Sequence, residues 1–95
     1  MYKIIVSTRT QIEIENAIDY YALNSKDAPV NFIASLKEAY NQLAINPFQR
    51  LHYKTVRAIQ LKKFPFALYF TINKVSSTVK ILSCFHTKRN PNKRP

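Results

Sequence analysis

Residues 66–86 decide the fold, and their sequence is FALYFTINKVSSTVKILSCFH. In the first part of this stretch, large hydrophobic side chains occupy every second position, namely Phe66, Leu68, Phe70 and Ile72. A period of two is that of a β-strand, whose successive side chains point to opposite faces of a sheet. Lys74–Ser77 is a polar turn without glycine, and Thr78–His86 is rich in the β-branched residues that favour strands. The stretch therefore predicts a β-hairpin.

A further strand is predicted upstream of the hairpin, over Thr55–Leu61. It follows a polar connection, Phe48–Tyr53, and precedes the basic dipeptide Lys62-Lys63. Consecutive strands joined by short turns pair with one another in antiparallel fashion. The second half of the chain is thus expected to form a small, mainly antiparallel sheet.

The first half of the chain is predicted to hold a short strand, Tyr2–Val6, and two helices. Ser7 and Thr10 are candidate N-caps of the first helix, and Thr10 and Glu13 have the spacing of a capping box. That helix is expected to end near Asn24–Ser25. Its apolar stripe at helical spacing is Ile14, Ala17, Ile18 and Tyr21.

The second helix is expected to start at Asp27 and Pro29, residue types favoured at a helix N-terminus. Asn46-Pro47 ends it, and we expect Asn46 to take the left-handed conformation that glycine usually takes there. Its apolar face comprises Phe32, Leu36, Ala39, Tyr40 and Leu43. The predicted fold is α+β, in the order β-α-α-β-β-β, with the helical hairpin packed on one face of the sheet. We expect a single domain over residues 1–87 and a mobile basic tail over 88–95.

Charge is distributed very unevenly along the chain, whose formal net charge is +10. All five acidic residues lie within residues 1–38, together with four basic ones, so that this part sums to 4 − 5 = −1. Residues 39–95 hold eleven basic residues and no acid. Such a field favours a polyanion or an acidic protein partner.

Composition excludes several functional classes. Without glycine, the chain cannot form a GxGxxG dinucleotide turn, a Walker A loop or a GxSxG nucleophile elbow. Its apolar runs are too short to cross a membrane, and its N-terminus lacks a signal-peptide pattern. The single cysteine, Cys84, cannot form an internal disulfide or, alone, a zinc site. We therefore expect a cytoplasmic protein without a cofactor, a metal or a membrane partner.

Two segments of the predicted sheet resemble the RelE/ParE toxin superfamily of type II toxin–antitoxin systems. The first, Arg57–Phe70, combines a basic strand, Phe64-Pro65-Phe66 and a strand with a Leu-Tyr pair. The second, Val79–Pro91, ends in the pattern His-x-x-Arg-x-Pro. Both look like the ParE branch, and Tyr20-Tyr21 and Asn46-Pro47 also match the family pattern. The resemblance covers nearly the whole chain.

This resemblance implies one partner and two kinds of target. The partner is a cognate antitoxin, whose partly disordered and often acidic segment wraps the toxin in a hetero-oligomer. ParE-like members poison DNA gyrase without cutting anything themselves, whereas RelE-like members cleave mRNA in the ribosomal A site. We favour a ParE-like toxin that binds a target protein such as gyrase. A RelE-like mRNA endonuclease and a non-catalytic, basic nucleic-acid-binding module are the alternatives.

A nuclease active site would have to be built from few groups. Metal-independent RNA cleavage needs a base, an acid and cations that stabilise the phosphorane. No carboxylate follows residue 38, so the candidates are His86 and the cations Arg57, Lys62, Lys63 and Arg89. His86 has two other possible roles, packing at a strand end or contact with a ligand. RelE-like enzymes place an aromatic residue near the C-terminus, and none follows Phe85 here, which argues against an enzyme.

Binding of an antitoxin or a target is expected on the same basic region. Tyr69 either fills the second face of the sheet or lines a groove with Arg57 and Lys63 that receives a partner. In the ParE branch the C-terminal end is linked to toxicity, which makes Arg89 the leading single candidate. The candidate binding residues are Arg57, Lys62, Lys63, Tyr69, His86, Lys88 and Arg89.

Overall fold

The computed structural model describes residues 1–48, 51–53 and 55–88, with 51–53 described by their backbone. The first elements are strand β1, Lys3–Val6, helix α1, Thr8–Asn24, and helix α2, Ala28–Ile45. Within the described residues they are followed by strands β2 (Leu51–Tyr53), β3 (Val56–Gln60), β4 (Phe66–Asn73) and β5 (Thr78–His86). The predicted α+β class is confirmed, and the short strand β2 lies inside the predicted polar connection.

The strands form one mixed sheet in the order β1-β5-β4-β3-β2. β1 runs parallel to β5, and the other described pairs are antiparallel, so the sheet is mainly antiparallel as predicted. Both helices cover one face of this sheet. The core lies between the helices and the sheet. Its fully buried residues are Phe32, Leu43, Leu68, Phe70, Val79 and Ile81. None of the described helices is both long enough and apolar enough to span a membrane.

Ser7, rather than Thr10, caps α1. The Ser7 hydroxyl oxygen accepts a hydrogen bond of 3.1 Å from the Thr10 N–H, a contact that typically stabilises a helix by about 1 kcal/mol. Thr10 is fully buried inside the helix, and its hydroxyl donates to the carbonyl of Ile81 over 3.2 Å. The cap therefore also orients α1 against β5.

The second helix begins as predicted but ends differently. Asp27 occupies the N-cap position, although its side chain makes no capping hydrogen bond, and Pro29 lies in the first turn. At its C-terminus Asn46 is extended, with φ −149° and ψ 95°, so the expected left-handed conformation is wrong. The Asn46 side chain instead accepts a hydrogen bond of 3.2 Å from the N–H of Phe48. This contact turns the chain away from the helix without a left-handed residue.

A β-bulge interrupts the pairing of β4 with β5. Tyr69 lies opposite Ser83, whereas the next residue, Phe70, lies opposite Ile81, which leaves Leu82 without a partner on β4. An extra residue in one strand shifts its alternation of faces by one position. The core residues of β5 are accordingly odd-numbered before the bulge and even-numbered after it, namely Val79, Ile81 and Cys84.

Candidate functional site

The turn between β3 and β4, here called the basic turn, carries Lys62 and Lys63 and is fixed against α2. Ser35 Oγ donates to the Lys62 carbonyl over 2.8 Å, and Lys62 Nζ lies 2.6 Å from Glu38 Oε1. Lys63 has a φ of 68°, in the left-handed region that favours glycine, at a cost of roughly 1–2 kcal/mol. The cleft beside this turn measures about 530 Å³, a size that holds small ligands.

His86 ends β5 at the same end of the sheet as the basic turn. It lies opposite Phe66, and the two rings meet edge to face with their centroids 4.9 Å apart. The next residue, Thr87, donates its N–H to the carbonyl of Pro65 over 2.9 Å, which ties the end of β5 to the turn. The half-buried imidazole also lines a cleft of about 260 Å³ together with Glu13. His86 therefore packs at a strand end and also faces a cleft.

Glu13 is a residue of this cleft that the sequence analysis placed in a candidate capping box but not among the site residues. Its Oε1 atom accepts hydrogen bonds from Ser83 Oγ over 2.9 Å and from the Cys84 N–H over 3.0 Å. Its Oε2 atom lies 3.4 Å from Nε of Arg9. Ser83 is fully buried, so the carboxylate supplies an acceptor for polar groups that water does not reach.

Helical spacing could have located Glu13. The capping-box interpretation paired Glu13 with Thr10, but the carboxylate reaches β5 instead. Glu13 lies three residues after Thr10 and four before Ala17, and both of these are buried. Residues three and four apart share one face of a helix, so the same spacing indicates that Glu13 faces the sheet.

Cys84 lies in the same cleft as His86 but is not poised for chemistry. Burial, and to a lesser extent the negative charge of Glu13, raises the pKa of the Cys84 thiol to about 12. The thiolate is the form that acts as nucleophile or metal ligand, and this thiol stays protonated at neutral pH. Among the described residues, no three or more His, Cys, Asp or Glu side chains come together to hold a metal ion.

Tyr69 lies on the face of the sheet that is turned away from the helices. It is only 2% exposed, and its ring stacks on that of Phe85 with centroids 6.1 Å apart. Together with Ala67 these residues form a second small apolar cluster, against which Val56 and Ala58 pack. The contacts are those of a residue that fills the second face of the sheet.

Arg57 lies apart from the basic turn, on the helix side of β3. It is three residues before the end of β3, about 10 Å along the strand. Its guanidinium carbon lies 5.5 Å from the centroid of the Phe48 ring, and Lys74 Nζ lies 5.3 Å from the same centroid. The expected groove of Tyr69, Arg57 and Lys63 is therefore not formed, because Tyr69 and Arg57 face opposite sides of the sheet.

The C-terminal candidates are only partly described. Lys88 is exposed two residues beyond the end of β5, whereas Arg89 and the remainder of the predicted tail lie outside the described residues. Lys88 thus belongs to the same end of the sheet as His86 and the basic turn. The sequence-predicted site residues that the structure describes fall into three places: this end of the sheet, the second apolar cluster with Tyr69, and the surroundings of Phe48 with Arg57.

Solved toxins share this arrangement of helices and strands. A chain of the chromosomal ParDE TA system from P. aeruginosa superposes with a TM-score of 0.72 and 16% sequence identity, over 90% of this chain and 96% of that chain. The isolated E. coli RelE toxin superposes with a TM-score of 0.65 and 13% identity, over 94% of this chain and 87% of that chain. The chain has the RelE/ParE fold.

A third example of the RelE/ParE fold is the toxin–antitoxin complex RelBE2 from Mycobacterium tuberculosis, with a TM-score of 0.62 and 18% identity, over 90% of this chain and 96% of that chain. No protein-family model and no curated protein matches the sequence. The likeness is therefore one of fold. Because one fold hosts different activities, the function of this RelE/ParE-fold chain has to be argued from its own residues.

Proposed function

We propose that this chain is the toxin of a type II toxin–antitoxin system, of the ParE-like kind. It acts in the cytoplasm by binding a target protein such as DNA gyrase, inhibits growth without cutting a substrate itself, and is neutralised by a cognate antitoxin. The fold shared with the ParDE chain and with E. coli RelE, with TM-scores of 0.72 and 0.65, supports a toxin. The observation that carries the ParE-like choice is that the described candidate catalytic groups are dispersed, with Arg57 on the Phe48 ring and Lys62 paired with Glu38.

The charge distribution supports an acidic antitoxin segment as the partner. The chain carries a net charge of +10, and its acids all lie in residues 1–38. Two of the solved structures of this fold are those of the ParDE system and the RelBE complex, both toxin–antitoxin systems. A basic surface attracts an acidic segment that orders on binding and speeds the encounter.

The dispersal of the candidate catalytic groups supports a toxin that binds rather than cuts. General acid–base chemistry needs its groups within hydrogen-bond reach of one reacting centre. Arg57 contacts the Phe48 ring on β3's helix side, away from the basic turn, and Lys62 is already paired with Glu38. Among the described candidates, His86 and the basic turn share one end of the sheet, and this proximity favours the RelE-like mRNA endonuclease as the second candidate function.

One experiment with two arms separates these functions. The purified protein is incubated with gyrase, ATP and supercoiled plasmid, and in parallel with translating ribosomes and a defined mRNA. In the gyrase arm we expect linear plasmid once the protein has been denatured. In the ribosome arm we expect the mRNA to remain intact. Cuts in the ribosomal A site with unaffected gyrase would establish the RelE-like alternative, and inactivity in both arms with unchanged growth on expression would reject a toxin.

A matched pair of variants tests the site itself. Lys62→Gln with Lys63→Gln removes two charges from the basic turn, whereas Lys26→Gln with Lys37→Gln removes two exposed charges elsewhere. We expect the first pair to lose growth inhibition and the second pair to retain it. If both pairs lost growth inhibition equally, the effect would come from net charge, and the basic turn would not be part of the site.

A further inference from the structure

Strand β1 forms an edge of the sheet, because it stands at the end of the strand order and pairs with β5. The Lys3 N–H donates to the Ser77 carbonyl over 2.9 Å, and the N–H of Ser7, directly after the strand, donates to the Ile81 carbonyl over 3.1 Å. The backbone groups of successive residues in a strand point alternately to its two sides. The odd-numbered residues of β1 therefore face β5, and the even-numbered ones face outward.

The outward-facing residues are Ile4 and Val6. Among the described residues, the N–H and the carbonyl of Ile4 and the N–H of Val6 have no hydrogen-bond partner on this side. The Val6 carbonyl accepts a long hydrogen bond of 3.5 Å from the side chain of Gln11. Backbone groups in this order form the open side of a β-ladder, which another extended polypeptide can complete. The edge thus specifies a peptide, because a nucleic acid backbone lacks alternating N–H and carbonyl groups.

The side chains at this edge are apolar and basic. The even-numbered residues of β1 pack against the core, so Lys3 and Ile5 point to the face turned away from the helices. Ile5 is 43% exposed. It also lines a pocket of about 430 Å³ together with two lysines, Lys74 and Lys80. A strand added beside β1 would therefore place every second side chain next to an exposed isoleucine flanked by lysines.

Charge decides which kind of peptide fits this edge. All five acidic residues of the chain lie on the helices or the link between them, and the helices cover the other face of the sheet. Opposite charges on neighbouring strands stabilise a sheet, and like charges directly opposite each other destabilise it. The edge therefore favours an acidic strand. A second copy of this chain is disfavoured, because each copy carries a net charge of +10 and an edge lysine, Lys3.

We propose that the outer edge of β1 is a docking site for an extended acidic peptide segment. The segment pairs with Ile4 and Val6 as an additional strand and directs its carboxylates toward Lys3 and the pocket with Lys80. The site adjoins the start of β5, whereas His86 ends that strand. The inference rests on the proposed function only in naming the antitoxin as the source of the segment. Its test contains neither gyrase nor ribosomes, so the two can fail separately.

Amide hydrogen exchange of the full chain, followed by NMR, tests the pairing directly. The probe is an octapeptide in which glutamate alternates with valine. In the free protein we expect fast exchange at Ile4 and Val6 and slow exchange at Ile5, which faces β5. With the peptide at ten times its Kd, exchange at Ile4 and Val6 should slow by about tenfold. Peptide binding that leaves both of these amides unprotected would overturn the proposal.

A matched pair of variants tests the outward N–H group. Ile4→Pro and Ile4→Ala lose the same side chain, but the proline also removes this N–H and blocks an incoming strand, while an edge strand tolerates it. By fluorescence anisotropy with the labelled octapeptide, we expect Ile4→Pro to bind at least about tenfold more weakly than Ile4→Ala. Circular dichroism confirms that both are folded. Val6→Pro against Val6→Ala repeats the comparison at the next outward N–H.

Peptide and charge controls complete the test on the wild-type fold. An octapeptide of the same charge, N-methylated at every second residue, is expected to bind at least about tenfold more weakly, because it cannot complete the ladder. Lys3→Gln should weaken binding by about two- to fivefold, and Lys26→Gln, away from the edge, should leave it unchanged. Equal binding of the methylated peptide would overturn the proposal. It would also be overturned if single-stranded DNA of equal charge displaced the labelled peptide as well as unlabelled peptide does.

Discussion

Glu13 on α1 accepts a hydrogen bond of 2.9 Å from the hydroxyl of Ser83 on β5, 70 residues further along the chain. The same carboxylate oxygen accepts the N–H of Cys84, and one helical turn earlier Thr10 donates to the carbonyl of Ile81. These hydrogen bonds reach β5 at its bulge, where backbone groups are displaced from the hydrogen-bond ladder with β4. The first turns of α1 therefore supply hydrogen-bond partners that β4 does not supply.

Replacing Glu13 is expected to destabilise the fold through these unpaired groups. Glu13→Ala leaves a fully buried Ser83 hydroxyl and the Cys84 N–H without this acceptor, at a cost of about 1–3 kcal/mol in the free energy of unfolding. Glu13→Gln keeps an acceptor oxygen and is expected to cost less. Urea unfolding measures the difference. Glu15→Ala, on the exposed side of the same helix, is the control and should change the free energy by less than about 0.5 kcal/mol.

The bulge makes a second prediction about chain length. Deleting Leu82 removes the extra residue and leaves each later residue of β5 opposite its present partner on β4, and therefore on its present face. Cys84 stays opposite Leu68 and His86 stays opposite Phe66, so we expect the deletion variant to keep cooperative unfolding and its near-UV circular dichroism. Leu82→Ala keeps the residue count and is the control that should also fold. A deletion variant that no longer unfolds cooperatively would contradict Leu82 as the extra residue of the bulge.

The bulge also marks where sequence-based prediction stops. The alternation from Phe66 to Ile72 and the β-branched run of β5 predicted both strands, because side-chain periodicity follows local geometry. No such pattern marks Leu82 as the extra residue of the bulge, because the pairing of the two strands decides which residue lies outside the register. Strand β2, with three residues, is too short to show a period of two.

Prediction of the site was limited for a related reason. Residue types located the cations and His86, but the register between strands decides which of them meet. Arg57 and Tyr69 belong to neighbouring strands, yet one faces the helices and the other the second apolar cluster. The role of Glu13 depends on how α1 docks on β5, a tertiary relationship that the spacing within one helix only indicates.

The absence of glycine from the sequence gives a prediction for the basic turn. Lys63 has a φ of 68°, so Lys63→Gly relieves its steric strain, and we expect a gain of up to about 1 kcal/mol in the free energy of unfolding. Lys62→Gly, at the neighbouring residue without a positive φ, loses backbone entropy on folding and is expected to cost about 0.5–1 kcal/mol. Denaturant unfolding of the two variants measures both effects. A loss of stability in Lys63→Gly would contradict the left-handed assignment.

The buried thiol predicts how stability depends on pH. Because burial raises the pKa of Cys84 from 9.0 to about 12, the folded protein keeps the thiol proton between these values while the unfolded chain loses it. Unfolding then releases a proton, so the free energy of unfolding falls as the pH rises above 9, by up to about 1.4 kcal/mol per pH unit. Denaturation of the wild type and Cys84→Ala at several pH values measures this.

The contribution of the thiol is the difference in stability between these two proteins, because other groups titrate in both. We expect the advantage of the wild type to shrink steadily above pH 9. Tyr40→Phe provides a parallel case, since burial raises the pKa of Tyr40 to about 12, and its advantage should shrink above pH 10. A difference between wild type and Cys84→Ala that stays constant from pH 8 to 11 would contradict a buried, protonated thiol.

Substitution of His86 distinguishes a toxin that acts by binding its target from one that cleaves RNA. His86→Phe keeps an aromatic ring edge-on to Phe66, whose centroid lies 4.9 Å from that of the imidazole, but it can neither donate nor accept a proton. If the toxin acts by binding, we expect this variant to arrest growth as the wild type does. His86→Ala loses the aromatic pair, worth about 0.5–1.5 kcal/mol beyond its buried area, and should lower the thermal midpoint. Growth after induction is compared at equal protein abundance, measured by immunoblot. A His86→Phe protein that is as abundant and as stable as the wild type, but no longer inhibits growth, would show that the imidazole itself is required, as the endonuclease mechanism demands.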